Sequence, residues 1–180
     1  MDFEEFVLAA ATGDLGDEPT ARTRADAVEF RMDLASNPLT QLGAYDGASP
    51  LIVTNRAQWE GGEAPEGPER LSALAEATEH PAVEAVDVEL ETLRDGGAAR
   101  VVESARAHGV AVVASVHDFE TTPGRERLSS LLSAACDVAD VGKLAVTAES
   151  PGDVLALLGA TWEATSDGRR VATMAMGEAG

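Results

Sequence analysis

The chain has 180 residues, of which 44% are hydrophobic and 25% are charged, and this composition suits one globular domain with a packed core. A formal net charge of −19 argues against nucleic acid and anionic membrane surfaces as partners. We find neither the roughly 20-residue apolar run that a membrane helix needs nor the basic start of a secretory signal. One cysteine, Cys136, excludes an internal disulfide and is typical of a reducing compartment, so we expect a cytoplasmic protein.

The acidic residues are scattered along the chain, and lysine is nearly absent. Carboxylates stay hydrated and screened in concentrated salt, whereas at low salt their mutual repulsion destabilises a compact chain. The composition therefore indicates adaptation to a halophilic cytoplasm.

Short apolar segments alternate with longer segments of helical periodicity. The helical patterns cover residues 66–79, 97–107, 125–135 and 153–165, and residues 37–49 are predicted as a loop with a short helix. Seven strands are predicted, at residues 6–11, 27–34, 50–56, 83–90, 110–117, 140–147 and 170–176. Because strands and helices alternate without hairpin signals, the strands should be parallel and joined by crossover helices.

Two helix boundaries carry clear signals. Ser150 as N-cap, Pro151 at the first helical position and Asp153 at the third predict a well-defined helix start. Gly109 predicts the end of the helix before the fifth strand.

The predicted strands have one polar face. In residues 27–34, Glu29 and Arg31 share a face opposite Val28 and Phe30. Helices must cover the apolar face, and a second helical layer would not tolerate the charged one. In a closed barrel the charged face lines the lumen, where the charges can pair. The sequence therefore predicts an α/β fold of the (β/α)8 TIM-barrel type, with about seven strands and one domain over residues 1–180.

Candidate site residues recur in successive strands at intervals of 25 to 33 residues: Arg31, Arg56, Glu89, His117 and Lys143. Each interval is about one strand–helix unit. The side chains should converge near the carboxyl ends of the strands, where barrel enzymes place their chemistry.

Lys143 lies inside an apolar strand and is the only lysine, whereas the other twelve basic residues are arginine. Arginine cannot lose its proton, but a desolvated lysine can, and only a neutral amine attacks a carbonyl. We expect apolar walls and a neighbouring cation to lower the pKa of Lys143. His117 suits proton transfer at neutral pH, with Glu89 as its carboxylate partner.

Two other interpretations stay open for these residues. Lys143 can be a strand-end lysine with its ammonium in water. Glu29, Arg31 and Glu89 can form a purely structural ion-pair network. No cluster of His, Cys or Asp has metal-ligand spacing, so we expect neither a metal ion nor another cofactor.

Five ordered motifs resemble the type I 3-dehydroquinate dehydratases of the shikimate pathway. They are residues 29–33 (EFRMD), 50–56 (PLIVTNR) with 60–62 (EGG), 86–90 (VDVEL), 115–119 (SVHDF) and 143–145 (KLA), and residues 174–177 (MAMG) are similar to a further run of the family. The resemblance implies a (β/α)8 barrel lyase that converts 3-dehydroquinate to 3-dehydroshikimate without a cofactor.

The resemblance also implies a role for each site residue. Lys143 would form a Schiff base with the ring ketone, and His117 would act as general base and then general acid. Glu89 would orient His117. Substrate hydroxyls would be held by three residues: Glu29, Arg31 and Arg56.

The sequence departs from the family pattern at its end. In the family, an arginine, an eighth strand and a loop with serine and glutamine follow the seventh strand and bind the substrate carboxylate. We interpret the sequence as lacking this last strand–helix unit, and expect tenfold or more weaker substrate binding, because a charge-assisted carboxylate contact contributes about 1.5–3 kcal/mol.

Two alternative functions and one possible assembly remain open at this point. A class I aldolase acting on a sugar phosphate would also use a lysine, and would need a phosphate-binding glycine loop late in the barrel. A catalytically silent barrel could bind a shikimate-type ligand. A second copy of the chain could pair with an exposed strand edge, so that the protein forms a homodimer.

Overall fold

The computed structural model describes Met1 and residues 3–180, and its seven strands form one parallel sheet in the order of the chain. The strands are β1 (Ala9–Thr12), β2 (Ala27–Arg31), β3 (Leu51–Thr54), β4 (Val83–Glu89), β5 (Ala111–Asp118), β6 (Val141–Thr147) and β7 (Val171–Met176). The helices are α1 (Glu18–Ala21), α2 (Pro38–Gly43), α3 (Pro68–Ala77), α4 (Leu90–Arg94), α5 (Ala99–His108), α6 (Arg125–Cys136) and α7 (Pro151–Ser166). Short 3-10 helices occupy Leu15–Asp17, Met32–Leu34 and Gln58–Glu60.

The sheet curls so strongly that its second and sixth strands face each other. In a flat sheet, β2 and β6 would lie about 19 Å apart, since neighbouring strands are about 4.8 Å apart. Instead, the Nζ of Lys143 on β6 lies 3.2 Å from Oε1 of Glu29 on β2. The predicted TIM-barrel type of α/β fold, with seven strands in this chain, is therefore confirmed.

The apolar face of the sheet is covered by helices, as predicted. Val28, Phe30 and Val86 are completely buried under the outer layer, and α6 and α7 bury Leu144. The opposite face carries the charged residues, which line the lumen. Because these charges pair across the lumen, the sheet buries them without a second layer of helices.

The first two strands differ from the prediction. β1 begins at Ala9, because the backbone of Leu8 bonds to Asp26 in the segment before β2. Phe6, predicted as strand, is 87% exposed. β2 ends at Arg31, where the chain turns into a 3-10 helix that directs Asp33 back towards Arg31.

The predicted helix boundaries are confirmed at both marked positions. Ser150 and Asp153 form a capping box at the start of α7, with Pro151 in the first turn. Gly109 ends α5 with a φ of 70°, a left-handed conformation that favours glycine. α1 and α4 were not predicted, since helices of four and five residues are too short to show periodicity.

Within the described residues, no helix is long and apolar enough to cross a membrane. In the described part of the chain, β1 and β7 each pair with one neighbour only.

Candidate active site

The charged cluster in the lumen is built from β2, β4, β5 and β6 and from the turn that follows β3. β2 supplies Glu29, β4 supplies Asp87 and Glu89, β5 supplies His117 and β6 supplies Lys143. Successive side chains of a strand alternate between its faces, so residues two positions apart share the lumen. The register places Lys143 level with Ser115, and Ser115 level with Glu89, while His117 lies two residues further along β5.

Lys143 points into the lumen and is paired there with two carboxylates. Its Nζ lies 2.9 Å from Oδ2 of Asp87 and 3.2 Å from Oε1 of Glu29, and its side chain is one-fifth exposed. The interpretation of Lys143 as a strand-end lysine with its ammonium in water is therefore wrong.

The predicted direction of the Lys143 pKa is also wrong. Burial by itself disfavours the ammonium, but Asp87 and Glu29 outweigh burial and the repulsion from Arg56, so the pKa of Lys143 is raised. Sequence motifs do not give the distances on which this balance depends. The two carboxylates thus hold Lys143 as an ammonium.

Asp87 is the central anion of the site. It is 2% exposed and accepts hydrogen bonds from Arg56 at 2.7 Å, from Ser115 at 2.6 Å and from Lys143 at 2.9 Å. Burial alone would raise the pKa of Asp87, but Arg56 and Lys143 hold it well below its ordinary value. Asp87 therefore stays ionised and fixes both cations.

Arg56 lies two residues beyond β3 and is 3% exposed. Its guanidinium contacts Asp87 and Ser115, and it lies 3.3 Å from Glu60 and 3.5 Å from Glu89. The planar fork of arginine can bridge several carboxylates at fixed angles, which a lysine cannot do. Arg56 thus joins the carboxylates of β4 to the turn that follows β3.

The prediction that Glu89 orients His117 is contradicted by the contacts of Glu89. Its carboxylate accepts hydrogen bonds from Arg70 of α3 at 2.9 Å and from the backbone N–H of Ala57 at 2.9 Å. Arg70 is 8% exposed and also donates to the carbonyl of Asn55. Glu89 is therefore used to neutralise a buried arginine and to anchor the turn after β3.

The carboxylate beside His117 belongs to Glu60, to which the sequence analysis assigned no role. Oε1 of Glu60 accepts the backbone N–H of His117 at 2.8 Å and lies 3.5 Å from its Nδ1. Glu60 lies in a 3-10 helix, where strand alternation gives no signal. The available signals were its spacing of four residues from Arg56 and the Gly61–Gly62 pair that follows it.

One continuous series of charged contacts connects the amine to the imidazole. It runs from Lys143 to Asp87, then to Arg56, to Glu60 and finally to His117, and every step measures 2.7 to 3.5 Å. Lys143 and His117 are therefore parts of one electrostatic network.

Glu29 and Arg31 lie at the edge of this network. Glu29 accepts a hydrogen bond from Thr54 at 2.8 Å in addition to its contact with Lys143. Arg31 forms a bidentate pair with Asp33 at 2.9 and 2.6 Å, and this pairing raises the pKa of Arg31. About a fifth of each of the Glu29 and Arg31 side chains is exposed, so a ligand can reach both.

A cavity of about 340 Å³ opens beside Lys143, Asp87 and Glu29. Its other walls are mostly apolar and come from residues 3 and 5–9, from residues 170–174 and from the first halves of β3, β5 and β6. His117, in the second half of β5, is not among the described residues that line it. Small-molecule sites range over about 300–1,000 Å³ and combine apolar walls with a few polar groups. Among the described residues, no group of three or more His, Cys, Asp or Glu could hold a metal ion.

A curled parallel sheet with a lysine, carboxylates and a histidine in its lumen indicates an enzyme of the (β/α)-barrel class. The sequence pattern of the family "Type I 3-dehydroquinase" matches residues 13–180. The chain belongs to this family.

Relatives and solved structures agree with this assignment. The 3-dehydroquinate dehydratase of Haloarcula marismortui is 58% identical, over the whole of this chain and 80% of its own length. The 3-dehydroquinate dehydratase structure from Enterococcus faecalis has a TM-score of 0.84 at 28% identity, covering 97% of this chain and 80% of that one. A type I 3-dehydroquinate dehydratase from Clostridium difficile, with covalently modified comenic acid, has a TM-score of 0.80 at 27% identity, covering 94% of this chain and 75% of that one.

Proposed function

We propose that this protein is a hydro-lyase that dehydrates 3-dehydroquinate to 3-dehydroshikimate through a Schiff base on Lys143. Its family and its relatives support the reaction. The observation that carries the mechanism is the sole lysine of the chain, held in the barrel lumen in one charged network with His117.

The reaction begins when the neutral amine of Lys143 adds to the ring ketone to give a carbinolamine. The carbinolamine takes back the proton that Lys143 gave up and loses water, which leaves an iminium ion. The iminium withdraws electrons, so the adjacent C–H bond becomes acidic and His117 takes its proton. The resulting enamine expels the β-hydroxyl group, which leaves as water with the proton that His117 returns. Hydrolysis of the conjugated iminium then releases the enone and restores Lys143.

Lys143 must lose a proton before it attacks, because Asp87 and Glu29 outweigh its burial and raise its pKa. Asp87 is a poor acceptor for this proton, since its own pKa is lowered. We assign the acceptor role to Glu29, the other carboxylate in contact with Nζ and the more accessible of the two. Once this proton is lost, the amine is no longer held by charge attraction to the two carboxylates.

The other residues set the geometry and charge of the site. Glu60 holds the backbone of His117 and lies beside its Nδ1, so it takes the orienting role that the sequence analysis gave to Glu89. Arg56 balances the charges of Asp87 and Glu60. Arg31 remains our choice for holding substrate hydroxyls, supported by its partly exposed guanidinium at the end of β2.

Covalent chemistry is supported by one structural neighbour. The Clostridium difficile protein is described with covalently modified comenic acid. A covalent modification in a neighbour of the same family fits the covalent step proposed for Lys143.

Turnover of 3-dehydroquinate by the parent protein and by Lys143→Met tests this proposal. Formation of the conjugated enone, followed by its ultraviolet absorbance, should occur with the parent and be lost in Lys143→Met. Binding of 3-dehydroquinate without turnover would favour a silent binding barrel, and cleavage of a sugar phosphate would favour an aldolase. Equal turnover by the parent and Lys143→Met would refute the role of the lysine.

Three further properties complete the proposal. We place the protein in the cytoplasm, supported by its single cysteine. Residues 1–180 form one domain, supported by their continuous sheet. Assembly as a homodimer is supported by the two sheet edges that β1 and β7 leave in the described chain. Light scattering in concentrated KCl measures the assembly directly, and a monomer mass would refute the dimer.

A further inference from the structure

The imidazole of His117 is stacked on an aromatic ring that the proposed reaction does not use. The rings of His117 and Phe119 have centroids 5.8 Å apart and are inclined by only 12°. Phe119 follows the last residue of β5 and is 52% exposed. Its ring therefore lies nearly parallel to the imidazole, with the two ring centres displaced sideways.

The Phe119 ring also lies against the turn that carries Glu60. A Cβ atom added to Gly61 would lie 2.3 Å from two carbons of this ring. Gly61 has a φ of +79°, which also favours glycine. A side chain at residue 61 would occupy the place of the Phe119 ring.

This turn has little freedom to move away from the ring. The N–H of Gly61 donates to the carbonyl of Gln58 at 3.2 Å, and the N–H of Gly62 donates to that of Ala57 at 3.0 Å. The N–H of Ala57 is in turn bound by Glu89 on β4. The turn that contains Gly61 is therefore fixed by hydrogen bonds beside the Phe119 ring.

Hydrogen bonding alone does not fix the imidazole. Nδ1 of His117 is buried and makes no hydrogen bond within the described residues, and it lies 3.5 Å from Oε1 of Glu60. This distance exceeds the usual length of an N–H···O hydrogen bond, about 2.7–3.2 Å. Packing therefore determines where the ring lies relative to its carboxylate.

We infer that Phe119 is a positioning residue, whose ring, held between His117 and Gly61, sets the geometry of the His117–Glu60 pair. Gly61 is required because it leaves the space for that ring. This inference rests on the proposed function in one respect only, namely that His117 transfers protons.

The first test compares Phe119→Leu with Phe119→Tyr. Leucine keeps apolar volume but removes the flat stacking surface, whereas tyrosine keeps it. General acid–base catalysis contributes about 10²–10⁴-fold to the rate of a reaction. We expect kcat of Phe119→Leu to be about tenfold lower than that of the parent. KM of Phe119→Leu should differ from that of the parent by less than about twofold. In Phe119→Tyr, kcat should equal that of the parent. Trp162→Leu, an exposed aromatic residue on α7, is the matched control and should leave kcat unchanged.

The pH profile separates positioning from a general structural effect. A His117 ring that moves relative to Glu60 transfers its proton in a different setting, so the pH profile of kcat/KM should differ between Phe119→Leu and the parent. The profile of Phe119→Tyr should match the parent. An unchanged kcat and an unchanged profile in Phe119→Leu would overturn the inference.

Coupling between residues 61 and 119 provides a second test. Gly61→Ala should reduce kcat more in the parent than in the Phe119→Leu background. In the parent, the new methyl group clashes with the aromatic ring, whereas the Phe119→Leu background has no such ring. Equal losses in the two backgrounds would overturn the pairing of these residues. If Gly61→Ala does not fold, the Phe119→Leu and Phe119→Tyr comparison still decides.

Failure of the proposed function is distinguishable from failure of this inference. If the parent neither turns over 3-dehydroquinate nor binds it covalently, the proposed function fails. The NMR titration of the His117 ring then decides the inference without activity. A midpoint that moves in Phe119→Leu and returns in Phe119→Tyr supports it, and identical midpoints in all three proteins overturn it.

Discussion

Replacing Glu60 and Glu89 by glutamine separates the carboxylate that serves His117 from the one that serves the fold. Glutamine keeps the size of each side chain and removes its charge. Glu60 lies 3.5 Å from Nδ1 of His117, whereas Glu89 pairs with Arg70 at 2.9 Å. The two variants should therefore fail in different ways.

Glu60→Gln should mainly reduce catalysis. The carboxylate of Glu60 accepts the backbone N–H of His117 at 2.8 Å, and a hydrogen bond to a charged group contributes about 1.5–3 kcal/mol. If this contribution is lost in the transition state, kcat falls by about 10- to 150-fold. The cost in stability should be smaller, since Arg56 keeps Asp87 at 2.7 Å.

Glu89→Gln should mainly reduce stability. It leaves Arg70 as a buried cation without its carboxylate, which costs about 3–5 kcal/mol. Urea unfolding in concentrated KCl measures this loss, and steady-state kinetics measure kcat over pH. The reasoning is refuted if Glu89→Gln abolishes turnover at unchanged stability while Glu60→Gln stays active.

Three other predictions follow from the charges and the caps. The free energy of unfolding should rise with KCl concentration between 0.1 and 1 M, because the Debye length falls from about 10 to 3 Å; a flat dependence in urea titrations would contradict this. Asp87→Asn should destabilise the protein by about 3–5 kcal/mol. Because the folded pKa of Asp87 lies below the unfolded value of about 3.9, its contribution is complete above that pH and is lost as the pH falls. Acid unfolding curves of the parent and Asp87→Asn should therefore converge at low pH, and curves that stay apart would contradict the linkage. Ser150→Ala should cost about 1 kcal/mol through the α7 capping box, and a thermal midpoint equal to that of the parent would contradict it.

Asp137→Asn is a matched control for Asp87→Asn. Asp137 also pairs with an arginine, Arg169 at 3.0 Å, but its side chain is 65% exposed. Exposed ion pairs typically contribute about 0–1 kcal/mol, so this variant should remain close to the parent. If Asp137→Asn lowers the free energy of unfolding as much as Asp87→Asn does, burial does not determine how much an ion pair stabilises the fold.

The barrel could be predicted from the sequence because its evidence is local and periodic. Alternation in residues 27–34 showed a charged face, and a charged face on a helix-covered parallel strand requires a lumen. The capping box at Ser150 is likewise a short motif with one structural meaning. These signals depend on the order of residues alone.

The partners within the site could not be predicted, because they depend on distances across the barrel. Glu60 and Glu89 are both carboxylates near His117 in the topology, and only the 3-10 helix after β3 brings Glu60 to it. Arg70 gave no sign of burial, since arginine on a helix is usually exposed. The direction of the Lys143 pKa followed from two carboxylates at 2.9 and 3.2 Å, which no spacing in the sequence specifies.

Borohydride reduction in the presence of 3-dehydroquinate, followed by peptide mass spectrometry, tests the central claim most directly. The account predicts a reduced ligand adduct on the peptide that contains Lys143, and no adduct in Lys143→Arg. Turnover of 3-dehydroquinate by the parent without any adduct on this peptide, or with an adduct elsewhere, would contradict it.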